Sequence, residues 1–203
     1  MVHARPLAGF ALVAALAIAP AAFAQMGPAV LDPAKAAAGD YKLDKKHASV
    51  TLKLAHLGLS QYTMRFNGVD GGYTYDPAKP TASKINVSVD PTSIDTHDSA
   101  FNTEIADQFL DAGKYPTVTF VSTSIVPGQN GHGKVHGALT FHGVTKPVTL
   151  DVTYNGSLVG MMKEHRMGFS ATTVIKRSEF GATKYIPVVG DDVTVLIEVE
   201  FTK

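Results

Sequence analysis

The chain contains no cysteine. A lipid anchor on a cysteine behind a leader is therefore closed, and so are the disulfides common in exported proteins, which leaves packing alone to hold the fold. Charge is sparse: Asp, Glu, Lys and Arg make up 18% of 203 residues, and 18 basic side chains balance 18 acidic ones. No basic block stands beyond the first two dozen residues, so nucleic acid is not an expected partner. Nor does any later run reach the apolar length that crosses a bilayer. The marks of catalysis are missing as well. There is no HExxH, no GxSxG, no GxGxxG and no GxxxxGK followed by Ser or Thr. Close carboxylates occur at Asp107 and Asp111 and at Asp191 and Asp192, but the first pair reads as a helix flank and the second as a turn after Gly190.

What is present begins with a leader. Arg5 precedes an apolar run over 7–18, and Ala22-Phe23-Ala24 is a small-x-small cleavage site. Residues 1–24 are expected to be a secretory signal peptide rather than a membrane anchor, because the run is short and Pro20 interrupts it. Its removal takes away Arg5 and leaves a net charge of about −1. The remaining chain of about 180 residues suffices for one packed domain, expected in the periplasm or secreted. Residues 25–39, rich in Ala and Pro with little periodicity, are expected to be a flexible tether, with 40–203 as the folded domain.

From Tyr41 onward Val, Thr and Gly abound and apolar residues alternate, the pattern of half-buried strands. Val50, Leu52, Leu54 and His56 share one phase; Tyr62, Met64 and Phe66 share the next. The stretch NGVDG at 67–71 reads as a turn, with 72–76 as the second arm of a hairpin. Ile85, Val87 and Val89 alternate, then Val118 and Phe120, then Val135, Leu139 and Phe141, then Val148, Leu150, Val152 and Tyr154. The clearest stretch is GALTFHGVTKPVTLDV at 137–152, two alternating strands around a short turn ending in Lys146-Pro147. Residues 167–176 and the run Val193, Val195, Ile197, Val199 and Phe201 bring the total to roughly eight to ten strands, enough to close an up-and-down antiparallel barrel. A two-sheet sandwich is the alternative. One segment differs. Phe101, Ile105 and Phe109 fall four apart within 98–112, with Asp98 or Ser99 as N-cap and Gly113 as stop, so a single helix is expected over the sheet or at one end of it.

Eight histidines invite a metal hypothesis. His132, His136 and His142 share even spacing, opposite Val135, Leu139 and Phe141 and hence on the solvent side, and no carboxylate follows at ligand spacing. No metal site is expected. His56 shares the apolar phase and reads as a barrel-end histidine. If the barrel is hollow, its expected lining is Val50, Leu52, Leu54, Tyr62, Met64, Phe66, Val87, Phe120, Leu139, Phe141, Leu150 and Val152. Phe101, Ile105 and Phe109 would then act as a lid. Arg65, Lys176, Arg177 and Lys184 stand near strand ends; ringing one mouth they would meet an anionic headgroup, and otherwise they are solvated charges. Each buried methylene gains about 0.8 kcal/mol, so an apolar tail binds with almost no polar contacts and leaves no motif. Inward-facing residues alone do not separate a lined cavity from a dry core.

Several motifs in order carry a resemblance. Tyr41, Leu43, Asp44, His47, Ala48, Ser49 and Val50 resemble the opening YxxDxxHSxV pattern of the YceI-like family. DQFLDAGKYPTVTFVST at 107–123, the 137–152 stretch, KRSEFG at 176–181 and GDDVTVLIEVEF at 190–201 are similar to the family's later motifs. The resemblance runs from Tyr41 through the folded domain; Ala48 and the Ile186-Pro187 stretch depart from it, the second near one mouth of the barrel. It implies an all-β, lipocalin-like, antiparallel up-and-down barrel with one short helix covering an end, exported in bacteria, around a long polyisoprenoid or an isoprenoid quinone such as ubiquinone. It implies no catalytic triad and no metal. The expected function is therefore non-catalytic: an isoprenoid lipid sequestered or carried, with no cofactor required beyond the bound lipid or quinone. Partners expected with it are a membrane or membrane protein touched transiently for loading and a second copy of the chain in a homodimer. The competing expectation is a barrel with a filled core that works through its surface, as a stress-response or partner-binding protein.

Overall fold

The computed structural model describes residues 27–203, so the expected signal peptide, 1–24, lies outside the described residues. The strands are β1 (Gly39–His56), β2 (Ser60–Phe66), β3 (Val69–Tyr75), β4 (Lys84–Val89), β5 (Ile94–Asp95), β6 (Val118–Pro127), β7 (His132–Phe141), β8 (Val144–Val159), β9 (His165–Lys176) and β10 (Asp192–Thr202). One α-helix, α1 (Ser99–Gln108), stands between β5 and β6. All pairings are antiparallel, in the order β10-β9-β8-β7-β6-β4-β3-β1-β2-β5, and β10 pairs with β1 as well. That last pairing closes the sheet and rules out the sandwich.

Two pairs of strands act as one strand each. β2 and β3 follow one another along the same edge of β1, with Val50 opposite Phe66 and Lys42 opposite Gly72. β4 and β5 do the same one position further on, with Val89 opposite Val69 and Ile94 opposite Phe66. The result is an eight-stranded up-and-down barrel with one short helix.

The hairpin expected around 67–71 is absent. The chain reverses earlier, through Leu57 and Gly58, whose φ values of 54° and 68° are those of primed turns. At 67–68 it continues in the same direction. There the Asn67 N–H donates to the Ser93 carbonyl (3.1 Å) and the Asp90 N–H to the Gly68 carbonyl (2.8 Å). A Cβ on Gly68 would lie 2.8 Å from the Ser93 Cβ. Gly68 of NGVDG thus marks a close crossing rather than a reversal.

β7 and β8 do form a hairpin, but its turn is His142-Gly143 (φ 51° and 75°), with Phe141 opposite Val144. Pro147 sits inside β8, opposite Ala138. Alternation from the closing pair turns the nitrogen of Pro147 away from β7. β9 meets β8 only from Asp151 onward, so no ladder bond is lost there. The seam this leaves is filled by the 3-10 turn Arg177–Phe180. Phe180 is 2% exposed and packs its ring 5.7 Å from that of Phe141, while Lys146 faces Glu179 at 3.8 Å.

The stretch expected to be a flexible tether is docked over its described part. Val30 exchanges two backbone hydrogen bonds with Ser157 (2.7 and 3.0 Å), and the Asp32 carboxylate accepts from Ala34 N–H (3.0 Å) to cap the 3-10 turn Pro33–Lys35. Gly156, at a bulge in β8 with φ 129°, makes room for it; a Cβ there would lie 2.9 Å from the Ala29 Cβ. Backbone groups that find partners hold this strap, and a composition of Ala and Pro does not reveal partners.

Gly71 tests the closeness of β3 and β4. A Cβ on it would lie 2.3 Å from the Asn86 carbonyl oxygen and 3.0 Å from the Val87 Cα. Gly71→Ala should lower stability by about 1–3 kcal/mol, read as a lower urea midpoint; an unchanged midpoint would contradict this packing.

Candidate functional site: an apolar cavity along the barrel axis

The barrel encloses a cavity of about 700 Å³ that runs from α1 to the N-terminal strap. All twelve residues of the expected lining face it, as do Met167, Phe169, Ala171 and Ile175 of β9 and the inward residues of β10. Their accessibility is uneven. Val50, Leu54, Met64 and Phe66 are buried, whereas Phe120, Leu139, Phe141, Leu150 and Val152 point inward yet stay only half-buried. An inward side chain of a filled core would be fully covered. These five are half-open because they face empty space.

At one end the cavity wall is aromatic. Asp98 caps α1 by accepting from Ala100 and Phe101 N–H (2.9 and 3.0 Å). The helix then lays Phe101, Ile105 and Phe109 on the cavity. Phe101 meets Tyr62 edge-on at 5.8 Å, and Phe109 meets Tyr185 at 5.6 Å. Tyr185 and Val189 come from the loop after the KRSEFG turn, in which the Ile186–Pro187 bond is cis. His56, Glu104 and Arg177 are the polar side chains other than tyrosine at this end.

The four cations expected near a mouth do not form a ring. Arg65 alternates with inward Met64 and Phe66, so it faces out, and its guanidinium donates to the Ala48 carbonyl (3.1 Å). Lys176 faces out for the same reason and pairs with Asp192 at 2.6 Å. Lys184 is at the rim, donating to Gln108 Oε1 and lying 5.2 Å from the ring centres of Phe109 and Tyr185, which ties the helix to the loop. Arg177 alone lines the cavity. It is 7% exposed and donates to the carbonyls of Gly190 (2.8 Å), Ala182 (2.7 Å) and Val189 (2.9 Å). Burial pulls its pKa below the ordinary guanidinium value.

At the other end tyrosine hydroxyls hold the strap. Tyr75 donates to the Pro33 carbonyl (2.8 Å), Tyr41 to that of Ala37 (2.6 Å) and Tyr154 to that of Val30 (3.3 Å). Burial pushes the Tyr41 hydroxyl up to about 12 and raises Tyr75 and Tyr154 as well, so all three remain donors across ordinary pH. Pro33 and Ala34 of the strap face the cavity. Tyr73, Phe169 and Phe201 pack beneath, with ring centres 5.5 and 5.7 Å from Tyr73. The sequence reading missed this end. Its one local signal is Asp32-Pro33, an N-cap followed by a first-turn proline.

The histidines are occupied elsewhere. His132 and His136 each bond a threonine across the ladder, Thr153 at 3.0 Å and Thr149 at 2.8 Å, while His142 leaves the strand for the turn and packs its ring, tilted, 4.6 Å from that of Tyr115. Asp44, His47 and Glu200 converge on the outer surface. Arg166 stands among them, donating to Asp44 (3.0 Å), Glu200 (2.9 Å) and Glu164 (2.9 Å). The His47 ring and Arg166 together hold the Asp44 carboxyl below its usual range.

A closed eight-stranded antiparallel barrel around an apolar hollow is a lipocalin-like architecture. The chain matches the family model for the YceI-like domain over residues 41–201, and it belongs to that family. It is 40% identical over 186 residues to a UPF0312 protein of Pseudomonas fluorescens, covering 88% of this chain and 94% of that one. A UPF0312 protein of Shewanella baltica is 38% identical over 161 residues, with 78% and 84% covered. Among solved structures, Burkholderia cenocepacia BcnA superposes with a TM-score of 0.69 at 26% identity, covering 78% of this chain and 98% of that one. The Campylobacter jejuni YCEI protein gives 0.66 at 32%, with 73% and 88% covered. A polyisoprenoid binding domain from Saccharophagus degradans shares the fold at 0.60 and 17% identity, with 79% and 97% covered.

Tyr75→Phe removes one of three hydroxyls on the strap. It should cost about 1 kcal/mol and speed amide exchange at Val30 and Ala36; unchanged exchange at both would mean that the hydroxyls do not hold the strap.

Proposed function

We propose that this protein binds an isoprenoid lipid, a polyprenyl compound or an isoprenoid quinone, in its barrel and carries or stores it without chemical change. The supporting observation is the half-open state of Phe120, Leu139, Phe141, Leu150 and Val152 around a cavity of about 700 Å³. A methyl-branched tail suits walls of Val, Leu, Ile and Phe, and each buried methylene contributes about 0.8 kcal/mol. At about 30 Å³ per carbon-sized atom, the share of a water in its liquid, the cavity takes on the order of twenty of them. Longer tails must emerge past the strap or the lid. The structural likeness to a domain described as polyisoprenoid-binding supports the same class of ligand. A filled, surface-acting barrel is the weaker reading, because such a core leaves no hollow of this size.

Export by the 1–24 segment, loading by transient contact with a membrane or membrane protein, and pairing with a second copy belong to the same reading. N-terminal sequencing of the protein from a periplasmic fraction should begin at Gln25; an intact Met1 would count against export by cleavage.

Native mass spectrometry of protein purified without detergent, followed by solvent extraction, should show a stoichiometric isoprenoid adduct. Phe141→Asp puts a carboxylate into the wall and should abolish the adduct while leaving the barrel's circular dichroism unchanged. Undiminished lipid in that variant would remove the interior site. A wild type that stays free of ligand after incubation with quinones and polyprenyl phosphates would favour the surface-acting barrel.

A further inference from the structure

We infer that Arg177 forms an anion subsite at the α1 end of the cavity, so that the ligand carries a phosphate-class head there and sends its tail towards the strap. This rests on the proposal that the cavity holds a lipid tail. Among the described residues, Arg177 is the only charged side chain counted as buried. No ion pair to it occurs among them. Two carboxylates stand near it without touching the guanidinium: Asp191, which acts on it through space but spends its hydrogen bonds on the Ser178 N–H (2.8 Å) and hydroxyl (2.7 Å), and Glu179, which faces Lys146. Glu104, the acidic residue that lines this end, is itself exposed to solvent.

A buried charge with no counter-ion in contact with it is costly. Three carbonyl dipoles orient the guanidinium but carry no net charge to offset it. A guanidinium has five N–H donors in a planar fork. Three are spent on those carbonyls, which leaves two for a ligand. That fork matches the oxygens of a phosphate, and the hydrogen bonds formed are charge-assisted. A neutral head such as a quinone or an alcohol would bring no charge into contact with the cation. The rest of the wall here is Ile175, Ala182, Tyr185 and Val189, with His56 bridged to Val189 through the backbone, a largely apolar surround in which salt screens the attraction little.

The test compares two ligands with one tail on the delipidated full-length protein: geranylgeranyl monophosphate and geranylgeraniol, by titration calorimetry at 0.15 M salt. The phosphate should bind at least about tenfold more tightly. Equal affinities would overturn the subsite and leave the carrier reading standing, whereas binding of neither would overturn both. Inorganic phosphate alone should bind far more weakly than the prenyl phosphate; equal binding would assign the subsite to the free ion and overturn the lipid head. Arg177→Lys keeps the charge but loses the fork, and it should narrow the gap by weakening only the phosphate. The wild-type comparison decides even where that variant does not fold.

Discussion

The interior of this barrel depends on the ladder between β1 and β10. Without it, eight strands form an open sheet with two free edges and one apolar face in water. With it, Leu43 meets Phe201 and Val50 meets Ile197, and every inward residue is enclosed. The ladder is interrupted between Leu43 and Ala48, where the chain bulges outward. Asp44 and His47 lie on that bulge, and Arg166 gathers Asp44 with Glu200 of the facing strand. The closing seam is thus joined by backbone bonds along its length and by a charged knot at its irregular point.

Closure encloses a space but does not fill it. On β7 one inward position, Gly137, has no side chain, and the Phe120 ring lies against it. A Cβ there would lie 2.3 Å from the ring of Phe120, so the missing side chain is what lets the ring lie against β7. The two ends are shut by different means. Aromatic packing beneath a helix covers one, and tyrosine hydroxyls bonded to the backbone of a strap cover the other. The KRSEFG turn serves a third opening in the side. Phe180 caps the seam that β8 and β9 leave, and Arg177, from the start of the same turn, reaches inside.

Much of this was legible in the sequence, because a period of two is a statement about faces. The alternation through Val50, Leu54, Met64 and Leu150 fixed which side chains point inward, and the fourfold spacing of Phe101, Ile105 and Phe109 fixed the helix and its inner stripe. The same parity turns Arg65, which lies between two inward residues, to the outside, and of its two readings leaves the solvated charge. Other features depend on partners far away in the chain. NGVDG has the composition of a turn, yet Gly68 serves the crossing of the segment at 90–93 and Gly71 the close approach of β3 to β4. Pro147 has the look of a strand end, yet it occupies an edge that a neighbour leaves free. The strap was read as a tether because its contacts are to tyrosine hydroxyls spread from Tyr41 to Tyr154. The hollow itself was not legible, since a lining and a core are written in the same residues.

The ladder that encloses the cavity also orders events in time. β1 finds β2 at once through a tight turn, but its other edge pairs with β10, the last strand of the fold to be synthesised. Until that strand arrives, the chain is a curved sheet whose apolar face and two edges are open to other molecules. Such distant pairing slows folding and lengthens exposure to aggregation. Phe201, 3% exposed in the finished barrel, is among the last residues to reach its place. A chain broken off before Asp192 therefore yields a sheet with nothing to close it, not a barrel with a gap.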